Sequence, residues 1–389
     1  MSRGMQCLTS ALIFIATVHL RCVNADAGRE NTQIFIDGFA PKEIRYPSSA
    51  LKFYENVTAT PAVPDMAARR GLTKCASSPA LPSGLVLDNS TCAISGTPTA
   101  IQAPAAYTIT GSNDFGTATT EISIEIRSPA PSNLVYAGSP YAFVKTATVT
   151  RVTPTFSGTI TSCTANPALP GLTLSNTTCE ITGAPTTSQL QTTHTITASN
   201  AEGSTSTTID LTIFRVLFIA NGPAGSGMAN SGVADNYCNG DGNKPAGTGN
   251  YKAMIAGWGT RRACSSSNCA TSGAAENLDW ALAPNTQYRR NDLSTIIMTT
   301  NSAGIFVFGT LAATIVATPL PGGSPISLWT GLTTGWTTHS SSGTCGGNWS
   351  TPSGTGVYGL INRSNNTLLH YSTATPCSSS SGLLACAQQ

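Results

Sequence analysis

Ten cysteines, three histidines and the two arginine pairs of the C-terminal part carry most of the reactive chemistry this 389-residue chain offers beyond residue 25. Cys264 and Cys269 come closest to a metal-ligand spacing, but no second Cys or His pair stands near enough in sequence to complete a tetrahedral set. Asn239-Gly-Asp241-Gly-Asn243 alternates oxygen-bearing side chains as calcium loops do. It lacks the acidic residue that closes such a loop, and a Gly/Asn turn beside Cys238 accounts for it. His194, His339 and His370 have no serine and carboxylate partners in a recognisable order, and G-x-S-x-G, H-E-x-x-H and Walker sequences are missing. The carboxylates are too few to suggest an acid/base pair. The expectation is a protein that is not an enzyme, with no catalytic residue, no metal and no cofactor.

Lys252, Arg261-Arg262 and Arg289-Arg290 form the basic concentration of the C-terminal part. Arginine suits bidentate contacts with oxyanions, so a patch for sulfated glycans or acidic protein faces is one reading. The plainer one is a solvated face with structural ion pairs to Glu276, Asp279 and Asp292, because charge runs usually are that. Of the five tryptophans, Trp336 and Trp349 lie in Gly/Ser loops and are the best candidates for exposed contact; buried anchoring of a loop-rich core is the ordinary alternative. A net charge of +2 gives no reason to expect nucleic acid.

These residues must be positioned by elements, and the elements repeat. Cys75–Thr99 reads CASSPALPSGLVLDNSTCAISGTPT, and Cys163–Thr186 reads CTANPALPGLTLSNTTCEITGAPT. The first cysteines lie 88 residues apart and the second ones 87. Such a period exceeds a solenoid or propeller unit and suits a small β-sandwich. Repeat one spans 41–127 and repeat two 128–214. Ile122, Ile124 and Ile126 alternate with polar residues, as do Ile209, Leu211 and Ile213, which predicts half-buried strands. Short strands at Tyr107–Thr110 and His194–Thr197 precede them across Gly/Asn turns, and Leu85-x-Leu87 and Leu172-x-Leu174 add another strand per copy. His194 stands where the first copy has Tyr107 and reads as a half-buried strand residue. Pairing within each copy, Cys75 with Cys92 and Cys163 with Cys179, closes loops whose restriction is worth about 3 kcal/mol each in the entropy model.

Residues 215–389 have another texture, with all the tryptophans and long Gly/Ser loops. Strands are expected at Val216–Ala220, Gly304–Phe308, Tyr358–Ile361 and Leu383–Cys386, and short helices at Ala234–Asn239 and Ala275–Ala283. Tyr251–Ala256 could be either. This predicts a compact α+β domain that depends on its disulfides.

The N-terminus supplies an address. Arg3 precedes a largely apolar run of 13 residues, Leu8 to Leu20, which is too short to span a bilayer but suits a secretory signal. Cleavage after Ala25 and a 26–40 lead-in follow; the rival is a lipid anchor on Cys22, for which Arg21 is a poor neighbour. The expected location is exported, at the outer membrane or cell surface or secreted. The remaining even number of cysteines agrees with an oxidising compartment.

Two resemblances sharpen this. Leu81, Pro82, Gly84, Leu85, Leu87, Ile94, Gly96, Thr97, Pro98, Tyr107, Ile109, Asn113 and Gly116 match the pattern of the immunoglobulin-like modules of bacterial surface proteins. The second copy follows it with Ala184 and His194 substituted. The resemblance implies two all-β immunoglobulin-like sandwiches. YKAMIAGWGTRRACSSSNCA, ENLDWALAPNTQYRR, NSAGIF, SLWTGL and the C-x-x-N-W…C…L-x-A-C ending resemble the leptospiral endostatin-like surface protein family. That likeness implies an α+β endostatin-like, C-type-lectin-like domain over 215–389. It also implies the pairs Cys238–Cys386, Cys345–Cys377 and Cys264–Cys269. Better-known members of that family mostly consist of this domain alone. The partners it implies are host extracellular-matrix proteins such as laminin and fibronectin, and complement factor H. The function expected is that of an adhesin, with the repeats as spacer; a glycan-binding lectin-like module or a purely structural envelope protein are the alternatives.

Overall fold

The computed structural model describes residues 40–65, 71–223, 227–316, 327–378 and 382–389. The signal segment 1–25, Cys22 and all of the lead-in but its last residue lie outside the described residues. The chain divides into two compact units, 1–130 and 131–389.

In the first unit, strands Ala50–Tyr54, Gly116–Arg127, Gln102–Asn113 and Lys74–Ser78 form one sheet in that order. Ala59–Ala62, Ile94–Gly96 and Leu85–Leu87 form a second. The period-two pattern has its expected cause: Ile122, Ile124 and Ile126 are at most 2% exposed, while Ser123 and Glu125 between them keep contact with solvent. The Cys75–Cys92 disulfide adds a covalent tie within this core. Tyr46 donates its hydroxyl to the Cys92 carbonyl at 2.5 Å, tying the lead strand region to the same cysteine. The glycine of the L-P-x-G-L signature, Gly84, sits at φ +88°, where a Cβ would collide with the Thr97 carbonyl.

The second unit begins by repeating this plan. Ser162–Asn166, Gln189–Asn200 and Gly203–Asn221 lie side by side, Tyr141–Val144 runs parallel to Leu211–Phe214, and Leu172–Leu174 pairs with Ile181–Gly183. Cys163–Cys179 and the hydrogen bond from Tyr136 to the Cys179 carbonyl reproduce the earlier pair. His194 is 1% exposed rather than half-buried. One ring nitrogen lies 2.8 Å from the Pro167 carbonyl and the other 3.0 Å from Gln189, so the core satisfies both. Tyr107 meets Gln102 in the matching place.

The last strand of the second sandwich does not stop at Phe214. It runs 19 residues, Gly203–Asn221, so the 214/215 division expected from the sequence falls inside one strand. Its far half pairs Arg215–Val216 with Gln287–Arg289 and Leu217–Asn221 with Leu383–Gln388. Ser327–Trp329, Thr355–Leu360 and Ser372–Pro376 continue the sheet outward from Leu383–Gln388. The C-terminal part is thus mostly β, and Ser231–Gly240 is its α-helix among the described residues, capped by Asn230 accepting from the Val233 amide.

Two expected elements are absent. Ala275–Ala283 forms a single 3₁₀ turn, Gly273–Glu276, and then an irregular path into the core. Glu276 is held by the preceding loop, and Asp279 takes φ +45°, which no α-helix tolerates. Gly304–Phe308 is a turn and not a strand. The Asn301 side chain accepts from the Ala303 and Ile305 amides, Gly304 sits at φ +71°, and Ile305 and Phe306 are buried.

Candidate functional site

The basic residues of the C-terminal domain do not form a common exposed face. Arg261 is only 2% exposed. Its two terminal nitrogens reach the two Asp235 oxygens at 2.7 and 2.8 Å, and Nε lies 3.0 Å from Asp279. Lys252 bonds the other Asp279 oxygen at 2.5 Å. Two cations therefore meet two carboxylates, and Asp235 also accepts from the Ala253 amide. Burial alone would push the Asp279 carboxyl up; the hydrogen bonds and charges of Lys252 and Arg261 outweigh it and hold the group below its usual range. A guanidinium that cannot reach solvent cannot meet a sulfated glycan.

The other arginines are likewise spoken for. Arg262 Nε donates to the Glu276 carbonyl at 2.9 Å, not to its carboxylate. Arg289 lies over the Phe214 ring, 4.3 Å from its centroid. Arg290 reaches the Thr314 carbonyl and hydroxyl and is not hydrogen-bonded to Asp292. The Asp292 carboxyl, pushed up by desolvation but held down to about 2 by the amides and hydroxyls of Thr295 and Ser294, stabilises its own turn. Of the ion pairs expected from the sequence, those to Asp279 form.

Trp336 and Trp349 are both 0% exposed, so neither is a contact residue. Trp336 packs edge-on against Phe306 at 4.6 Å and Trp280 at 6.2 Å. Trp349 donates from Nε1 to the Ala256 carbonyl at 2.9 Å and meets Trp329 edge-on. Both hold a left-handed backbone, φ 62° and 49°. Ring burial offsets that cost, of about 1–2 kcal/mol each. The Gly/Ser loops around them turn inward, because only closely approaching backbone can seat an indole.

A different carboxylate organises the smallest disulfide loop. Glu276 accepts from the Ser265, Ser266, Thr271 and Ser272 amides and from the Ser265 and Ser266 hydroxyls. The Cys264–Cys269 bond closes the ring around it. Desolvation opposes the charge, but these bonds outweigh it and hold the carboxyl well below the usual range. The remaining staples are Cys238–Cys386 and, nested within that span, Cys345–Cys377.

The Asn239–Asn243 segment is a hydrogen-bonded turn. Asn239 bonds the Asp235 and Tyr251 carbonyls, and Asp241 accepts from the Asn221 and Asn243 amides at 2.9 and 2.7 Å. Beside this turn lies an open groove of about 330 Å³ lined by Asn221, Val233, Asn236, Tyr237, Gly240 and Asp241. Asn236 and Tyr237 are not among the residues whose type and spacing pointed to a site. Their one signal was an aromatic on the polar face of a short helix, next to Cys238. His339 and His370 approach with ring centroids 5.5 Å apart, and no cluster of three metal-binding side chains occurs among the described residues.

Comparison with known proteins gives two family matches. The family described as "Putative Ig domain" matches residues 44–127 and 125–214, and "Protein of unknown function (DUF1554)" matches residues 220–367. The N-terminal half therefore carries two Ig-like domains, and the matches identify no catalytic family. No curated protein matches the chain. Among solved structures, the chain is similar to the Drosophila OTK extracellular domains 3-5, at 10% identity over 44% of this chain and 62% of that one, TM-score 0.31. It is similar to the insect immune protein hemolin at 11% identity over 50% and 55% of the two chains, TM-score 0.30. A titin fragment, I67-I69, shows 13% identity over 45% and 64%, TM-score 0.29. The chain spans less than two thirds of each of these structures.

Proposed function

We propose that the chain is an exported bacterial surface adhesin whose C-terminal domain is an endostatin-like binding module for host extracellular-matrix proteins. Its sandwiches act as the arm. The observation that carries this reading is the Gly203–Asn221 strand, which serves the second sandwich and the C-terminal sheet without a break. A covalently continuous strand, hydrogen-bonded in both domains, joins the second sandwich to the terminal module without a linker, which suits presentation to a large partner. Five disulfides suit an oxidising exterior. Among the described residues no helix is long and apolar enough to cross a membrane. The nesting of Cys345–Cys377 inside Cys238–Cys386 fits the endostatin-like resemblance.

Binding is non-covalent and does not run through the arginine pairs, which serve the fold. Solid-phase binding of the full oxidised chain to laminin, fibronectin and factor H tests the reading. Saturable binding that survives Arg290→Ser and is absent from residues 41–127 alone is expected. Lack of saturable binding to any of the three leaves the purely structural role in its place.

A further inference from the structure

The groove beside the Ser231–Gly240 helix has a volume of about 330 Å³, at the lower end of the range for small-molecule sites. From its lining we infer that it binds a neutral saccharide. The Tyr237 ring lies against the apolar face of a sugar, and Asn236, Asn221 and Asp241 take its hydroxyls.

The helix buries Ala234 and Cys238 and leaves Tyr237 40% exposed at the groove. An aromatic ring flanked by amides offers an apolar plate with polar rims, the same division a pyranose presents. Neither the Asn236 side chain nor the Tyr237 hydroxyl makes a hydrogen bond among the described residues, so their donors and acceptors are available.

Asp241 is already oriented. The Asn221 and Asn243 amides each take one of its oxygens, at 2.9 and 2.7 Å. A carboxylate has about four acceptor positions, so two stay open for hydroxyl donors. The wall behind is stiff: Cys238 is bonded to Cys386, and Asn239 ties the helix end to Tyr251. Binding here needs little reorganisation.

Charge selects the ligand class. Asp241 is the one ionised group in the lining, so a sulfated or sialylated ligand would meet an unpaired carboxylate. An ammonium would satisfy Asp241 but leave the amide N–H donors of Asn236 and Asn221 without acceptors. Hydroxyl groups both donate and accept, and only they use every group present. No cation is required, since the Asp241 oxygens are held by backbone amides.

The inference goes beyond the adhesin reading and is tested separately. The full oxidised chain is applied to an array of neutral, sulfated and sialylated glycans, with tetramethylammonium as the cationic competitor. Saturable binding to neutral glycans, unchanged by a chelator, is expected. Tyr237→Ala and Asn236→Ala should each weaken it about tenfold or more. Tyr237→Phe, which keeps the ring, should retain most of it. Unchanged thermal unfolding of these exposed-site variants excludes loss of fold. Binding confined to charged glycans, displacement by tetramethylammonium, dependence on a metal, indifference to both alanine variants, or no glycan binding at all overturns the inference. Laminin binding that persists in Tyr237→Ala while glycan binding is lost separates this site from the adhesin surface.

Discussion

Gln388 reaches from the last strand into the second sandwich and donates its side-chain amide to the Lys145 carbonyl at 2.5 Å. The same nitrogen approaches the Thr248 carbonyl, and the amide oxygen accepts from Val216 in the long strand. Lys145 answers by donating from Nζ to the Gln389 carbonyl at 2.6 Å. Residues separated by 243 positions thus share one buried knot where sandwich and C-terminal sheet meet.

Replacing Gln388 should loosen that knot. Gln388→Ala leaves the Val216 amide and the Thr248 carbonyl without a partner, while the Lys145 carbonyl keeps the Thr146 hydroxyl, and two unsatisfied buried groups at about 1–3 kcal/mol each cost about 2–6 kcal/mol. Gln388→Glu should cost more, since it sets a carboxylate against two carbonyls. Urea unfolding of the full chain measures both.

The disulfides should rank by the span they close. Cys238–Cys386 encloses 148 positions and Cys264–Cys269 only 5. In the chain-entropy model these are worth about 5 and about 2 kcal/mol. Paired Cys→Ser variants, compared by chemical denaturation, should preserve that order. Equal losses would show that local packing at the small loop, centred on Glu276, outweighs loop entropy.

Arg261→Ala should be among the most destabilising single changes, by about 3–5 kcal/mol, because it strands the largely buried Asp235 carboxylate and leaves Asp279 with Lys252 alone. Arg290→Ser, which loses only contacts to Thr314, should cost far less. Thermal denaturation distinguishes them.

Acid should attack the Glu276 loop. Its folded carboxyl is held below the ordinary value, so the stabilisation is complete above about pH 4.3 and is lost as pH falls through the folded value. Glu276→Gln should weaken the protein at neutral pH, because its NH₂ would face amide donors. It should also flatten the decline of stability below pH 4. Denaturation midpoints at a series of pH values check this, and an unchanged acid slope in the variant would remove Glu276 as its source.

Much of the fold was legible in local pattern. The duplicated block, the Ile122–Ile126 alternation and the L-P-x-G-L turn concern residues a few positions apart, where strand period and backbone sterics act directly. The irregular C-terminal half was less legible. Ala275–Ala283 has a helical composition, but Glu276 and Asp279 are claimed by Ser266 and Arg261, and these side-chain bonds override the propensity.

What the sequence by itself determined was two sandwich modules, their internal cysteine pairs and the strand positions at both ends of the C-terminal domain. The tertiary structure decided which charges and rings stay in water. Arg261 looked like surface chemistry until Asp235, 26 positions earlier, enclosed it. Trp336 and Trp349, the best candidates for exposure among five tryptophans read mainly as core anchors, are buried by loops that fold inward. Only the folded chain shows that one strand serves two domains, because a strand's local pattern is the same whichever neighbour it pairs with. Burial is a property of residues brought together from distant positions, and no local spacing encodes it.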